Sequence, residues 1–209
     1  DALAWLTDAA HWSGTSGIPT RMAQHVVITL MAVLCASCVA IPLGIAIGHS
    51  KRGSGIVVGL TGAARAIPTL GLLTLFGLAF GIGVKAPLLA LIVLAIPSLL
   101  AGTYAGIQAV DSVTVDAAQA IGMSTGQVIR SVELPLALPV IIGGIRAATL
   151  QVVSTTTLAA YTSDYGLGRY LFIGLKTRDY AVLLGGAILV IVLALLFEAC
   201  LAAVQRAAT

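Results

Sequence analysis

Apolar residues fall into five long runs divided by short polar stretches. The first covers about residues 26–47 and holds Pro42 and Gly44 near its end, where a kink is expected. The second covers about residues 56–80 and is interrupted by Arg65 and Pro68. The third, about residues 88–110, contains Pro97; the fourth and fifth cover about residues 137–160 and 181–204. Each run is close to the about 20 residues that cross a bilayer. The pattern predicts an all-α membrane protein with five transmembrane helices, and an odd number places the two termini on opposite sides.

Composition agrees with that pattern. Hydrophobic residues make up 59% and charged residues 9%, against about a quarter charged in soluble domains. Mean hydropathy is +1.07. These values exclude a soluble enzyme, a nucleic-acid binder and a disordered tail. Residues 1–209 read as one transmembrane domain, with no stretch left over for a soluble one. The formal net charge is +3, and the basic residues are scattered rather than clustered into a nucleic-acid patch. Counting charge in the turns gives no orientation. Lys51, Arg52, Arg130 and Arg206 lie on one side; Arg21, Lys85, Arg169, Lys176 and Arg178 lie on the other.

At the N-terminal end, Asp1 and Asp8 stand where a signal peptide would be basic. Trp5 and Trp12, flanking the polar residues 13–17, suit an interfacial segment over residues 1–21. Cys35 and Cys38 form a C-x-x-C inside an apolar run and read as buried small side chains rather than a redox or metal pair. Cys200 leaves the count odd, so no disulfide framework and no metal site is expected. Glycines four apart recur at 44/48, 55/59, 77/81 and 102/106. They read as close helix packing within the fold, with a dimer seam as the alternative.

The longest non-apolar stretch is residues 111–135. A first helix is predicted from near Ser112 to Ala120, with Gly122 ending it in a left-handed turn. Ser124 and Gln127 have capping-box spacing for a second helix, and Pro135 and Pro139 are expected to break the chain beyond it. A helix–glycine–helix elbow between two spans is a rigid knob suited to being gripped by another protein.

Asp116-Ala117-Ala118, three residues, Gly122, nine residues, then Val132-Glu133-Leu134-Pro135 resembles the EAA loop of ABC importer permeases. Asp replaces Glu and Val replaces Ile, with the spacing unbroken. Gln24-His25 leading to Ile41-Pro42-Leu43-Gly44 is similar to the first core span of glycine betaine/carnitine/choline permeases. Ala66-Ile67-Pro68-Thr69-Leu70 is similar to their second span, and residues 134–146 to the start of their fourth. Gly166-Leu167-Gly168 is similar to a glycine-rich element after it.

The resemblance implies a type I ABC importer permease fold of the methionine-importer kind, working as a pair of permeases, two copies or two relatives. Two copies of an ATP-binding subunit would receive the elbow, and an extracytoplasmic solute-binding protein would deliver a quaternary ammonium osmolyte. The chain would sit in a bacterial plasma membrane among lipid, N-terminus outside and C-terminus in the cytoplasm. Asp116, Ala117, Ala118, Gly122, Ser124, Gln127, Val132, Leu134 and Pro135 would form the coupling loop. ATP and magnesium would belong to the partner, since no G-x-x-x-x-G-K-[ST] loop is present. Methionine permeases are the second reading within importers. Channels, secondary transporters and intramembrane enzymes fit less well, because no Ser–His pair or paired acids share a span and the elbow would have no use. No catalytic residue is expected.

Single residues keep two readings each. Asp116 either contacts the partner or caps its own helix. Arg65 and Arg146 either snorkel to headgroups or, with Pro68 and Tyr161, belong to the translocation path. Tyr161, Tyr165, Tyr170, Phe172 and Tyr180 form an aromatic belt. Alternatively, Tyr165 and Tyr170 dock the binding protein and Tyr161 offers a cation–π face.

Overall fold

The structure is a computed structural model describing residues 1–207; residues 208 and 209 and the Arg65 side chain lie outside the described residues. A short helix, α1 (Ala2–Thr7), is capped by the Asp1 carboxylate, which accepts from the Leu3 N–H at 3.1 Å. A 3₁₀ turn over Ala9–Trp12 comes next, capped in the same way by Asp8.

The first spanning helix, α2 (Ile18–Ser50), starts eight residues before its apolar run. Pro19 occupies the first turn, where its missing N–H costs nothing. Arg21 and His25 are buried with protein partners, so their polarity did not end the helix. The helix continues through Pro42 and stops at Lys51, which adopts a left-handed conformation (φ 54°).

The second run is not one continuous helix. α3 (Ser54–Ala66) and α4 (Thr69–Phe80) meet at 87°. The break falls at Ile67-Pro68, because proline supplies no backbone donor and pushes the residue before it into extended geometry (Ile67 φ −73°, ψ 119°). Among the described residues, four helices are individually long and apolar enough to span, and the bent pair supplies the fifth crossing if counted as one.

α5 (Lys85–Gln108) leads to α6 (Ser112–Ala120) and α7 (Thr125–Val128). From Thr125 the helix runs unbroken to Tyr161, through a π turn (Ile129–Glu133), α8 (Leu134–Thr156) and a 3₁₀ turn (Thr157–Tyr161). The expected break at Pro135 and Pro139 is therefore absent. Pro135 sits in the first turn of α8, directly after the wider π turn whose Leu134 N–H donates back to the Ile129 carbonyl. The second arm of the elbow is thus the end of the fourth span itself. α9 (Gly168–Thr177) and α10 (Tyr180–Ala207) complete the chain.

The core is the α2–α5–α8 bundle, with Ile28, Ala32 and Ala36 buried against Leu91, Leu99 and Val152. Glycine sets its spacing. A Cβ on Gly44 would lie 2.7 Å from the Thr103 Cβ, and one on Gly48 the same distance from the Ile107 Cβ. The 44/48 and 102/106 pairs are therefore seams inside this fold. Gly55 and Gly59 meet nothing within 4 Å. Cys35 and Cys38 are exposed beside Leu34 and Val39 on the outward face of α2, and Cys200 is exposed on α10. The expectation of burial fails because this face of α2 turns away from α5 and α8.

Candidate functional site

The elbow forms as its sequence dictates. Asp111 caps α6 by accepting from the Val113 N–H at 3.0 Å. Asp116 is therefore no cap; it is exposed, in mid-helix. Gly122 takes the left-handed turn (φ 89°) with open space around it. The Ser124 N–H donates to the Gln127 Oε1 at 2.8 Å and starts α7. Ala118 and Val128 are buried within the elbow, while Ala117, Gly122, Ser124, Gln127 and Pro135 are exposed. Val132 and Leu134 are half-buried. Val113 and Ile121 stand 70% and 81% exposed. With Ala117 they follow i, i+4, i+8 spacing along α6 and its C-cap residue Ile121, which gives the polar knob an apolar tip. The motif does not mark either of them, because neither belongs to it.

Behind the elbow lies a cavity of about 500 Å³ lined by His49, Lys51, Gln108, Asp111, Asp116 and Glu133, among others. On its wall the His49 Nδ1 lies 2.7 Å from the Glu133 Oε2. Glu133 is buried, so the carboxylate depends on this partner. The Gln108 amide donates to the Gly48 carbonyl at 2.9 Å and ties α5 to the same turn of α2.

At the opposite end two predicted motifs meet. The Gly166 N–H donates to the Gln24 Oε1 at 3.0 Å, and the Leu167 N–H donates to the His25 Nδ1 at 3.3 Å. A backbone N–H only donates, so Nδ1 accepts and the proton sits on Nε2, which donates to the Val153 carbonyl at 2.9 Å. His25 is fully buried inside α2. Gly168 must be glycine, since a Cβ there would fall 1.9 Å from the Thr157 carbonyl oxygen. Arg21 donates to the Asp164 carbonyl at 2.6 Å and pairs with its carboxylate at 3.0 Å; Arg169 reaches the same carboxylate at 3.0 Å.

Tyr170 is unsuited to docking. It is buried, its ring is edge-on to Trp5, and its hydroxyl donates to the Ser16 carbonyl at 2.6 Å. Burial raises its pKa above the ordinary tyrosine value, more than the nearby Arg21 lowers it. Tyr165 is half-buried against the core. Tyr161 is 56% exposed. It lines both a cavity of about 450 Å³ with Arg169, Phe172 and Lys176 and one of about 230 Å³ with Thr74 and Thr162.

Of the charges within apolar runs, Arg146 turns to α10. It pairs with Glu198 and donates to Gln205, whose amide donates to the Pro139 carbonyl at 2.7 Å. The Arg65 side chain lies outside the described residues. Pro68 is exposed at the α3–α4 break. A further polar pair has no signature in the sequence: in mid-span the Ser98 Oγ donates to the Gln151 Oε1 at 2.7 Å, joining α5 to α8. Gln151 and Ser154 are exposed on one face of α8. Amides facing hydrocarbon are costly, so this face calls for water or protein. Among the described residues, no group of three or more His, Cys, Asp or Glu is placed to hold a metal.

Residues 40–209 match the family of binding-protein-dependent transport system inner membrane components. The chain is 35% identical over 189 residues to the glycine betaine/carnitine/choline transport system permease protein of Bacillus subtilis (strain 168), covering 90% of this chain and 87% of that one. It is 31% identical over 183 residues to the osmoprotectant import permease protein of Salmonella typhimurium, covering 84% of each. In fold it is similar to an inward-facing methionine ABC transporter chain, with a TM-score of 0.81 at 19% identity, covering 100% of this chain and 99% of that one. A chain of an amino acid ABC transporter gives 0.72 at 20% identity, covering 99% and 98%.

Proposed function

The chain belongs to the family of binding-protein-dependent transport system inner membrane components, and from that premise we propose that it is the transmembrane permease subunit of an ATP-driven importer. Its solute is a small osmolyte such as glycine betaine, choline or carnitine, the class for which the permeases similar to it are named. ATP and magnesium are held by a separate ATP-binding subunit present twice, and the permease pairs with a second copy or a relative. An extracytoplasmic binding protein delivers solute. Residues 1–21 lie outside and residues 111–135 and the C-terminal end lie in the cytoplasm.

The observation that carries this reading is the elbow. α6, Gly122 and α7 form a capped knob whose second arm is continuous with the fourth span. A partner that moves Asp116, Ala117 and Ile121 moves α8 with them. The spans then alternate between outward and inward openings. The solute path runs along the α4–α5–α8 face, past Pro68, Ser98, Gln151 and Tyr161, and we keep Arg65 as a candidate beside it. Arg146 braces α8 against α10 instead.

Reconstitution in proteoliposomes tests the proposal. With its ATPase and binding protein, the permease should accumulate radiolabelled glycine betaine, choline or carnitine only when ATP is supplied. Methionine uptake in their place would overturn the solute class. Uptake without the ATPase would overturn the importer reading in favour of a channel or secondary transporter.

A further inference from the structure

The elbow touches the bundle in few places. α6 is held mainly by α7 and the π turn, and the cavity of about 500 Å³ separates it from the ends of α2 and α5. Besides the three-residue link 109–111 back to α5, a load applied to α6 leaves through the π turn. One route onward is covalent, into α8. The other is the contact from Glu133, within that turn, to His49 in the last turn of α2, at 2.7 Å.

We infer that the Glu133–His49 pair is a strut that transmits elbow movement to α2, so that α2 and α8 move together when the elbow is driven. This rests on the importer reading above. The chemistry suits the task. An apolar contact is non-directional and slides at little cost. A carboxylate with a relative exposure of 4% cannot slide off its partner without being left buried and unpaired. The pair thus resists both pull and push along its axis. The Gln108 bond to the Gly48 carbonyl binds the end of α5 to the same turn, so the strut addresses two spans at one point. Glu133 and His49 are positioning residues: neither needs to touch solute or nucleotide. The EAA-type motif leaves the Glu133 position free, so the motif does not account for an acid there.

The test is the number of ATP molecules hydrolysed per solute imported, in the reconstituted complex with its ATPase and binding protein. H49A/E133A removes both groups together and strands no charge. It is expected to assemble and hydrolyse ATP within about twofold of the wild type while the ATP-to-solute ratio rises about tenfold, within the range of measured coupling energies. E133Q keeps an acceptor for His49 and is expected to hold the ratio within about twofold. A double variant with an unchanged ratio overturns the strut, whether uptake and hydrolysis are both normal or fall in parallel. A double variant that fails to assemble also overturns it, because the pair is then a structural brace. Failure of the wild-type complex to import any of the osmolytes would instead count against the importer reading itself.

Discussion

The Cα atoms of Gly102 and Gly144 face each other so closely that a Cβ on Gly102 would lie 2.6 Å from the Gly144 Cα. α5 and α8 are therefore in backbone contact at mid-span, and no rotamer change can relieve an added side chain there. Gly102→Val is expected to destabilise the protein by about 1–3 kcal/mol, the usual cost of overpacking. Thermal unfolding in detergent should show a lowered Tm. Gly59→Val, on a face with nothing within 4 Å, should leave it unchanged.

Arg146 and Glu198 are an ion pair within apolar helices, with side-chain exposures of 26% and 36%. Removing one partner leaves the other charged at membrane depth. Glu198→Ala should cost about 1–2 kcal/mol, below the value for a fully buried pair because neither side chain is enclosed by protein. The double replacement of Arg146 by Leu and Glu198 by Leu should recover most of that loss. A double variant no more stable than Glu198→Ala in the same unfolding assay would refute the pairing as the cause.

The elbow shows how far the sequence could be read. Gly122, Ser124 and Gln127 act locally: each meets a backbone or side-chain group within a few residues, so spacing alone located them, whereas the cap of α6 is Asp111 and not Asp116, for which the sequence allows capping as an alternative. The outcome at Pro135 was hidden, because proline in the first turn of a helix looks in sequence like proline that ends one. The same limit applies to His49 and Glu133, which are 84 positions apart, and to Arg146 and Glu198. Such pairings depend on which helix faces which, and apolar runs of similar composition do not encode that visibly. Cys35 and Cys38 failed for the reverse reason. In a membrane, apolar surroundings do not imply burial in protein, so hydropathy could not say which face of α2 turned inward.

The apolar tip of the elbow should carry the partner's grip. Ile121 and Val113 are exposed and pack on nothing within the fold that needs them. Ile121→Asp should leave the unfolding temperature of the isolated permease unchanged. It should weaken binding of the ATP-binding subunit by about 2 kcal/mol, roughly thirtyfold, as for an interface hot spot. Affinity measured by titrating the ATPase onto detergent-solubilised permease checks this. Equal loss of stability and affinity would mean that the residue supports the elbow rather than the contact.

Gln151 distinguishes three environments for the exposed face of α8. Its Oε1 is occupied by Ser98, and its side chain is exposed at membrane depth. If the face met lipid, Gln151→Leu would stabilise the protein and leave uptake as it was. If it met the second permease, the substitution would shift the assembly towards single subunits. Since we place the solute path there, removing the amide strips a polar lining from mid-membrane and leaves packing intact. Uptake by the reconstituted complex should fall about tenfold, on the order of the 1–2 kcal/mol of one intramembrane hydrogen bond, with subunit composition unchanged and the unfolding temperature lowered by no more than the lost Ser98 bond accounts for. Ser98→Ala should fall in the same direction by less, because Gln151 remains. Uptake that survives both substitutions would move the path away from the α5–α8 seam.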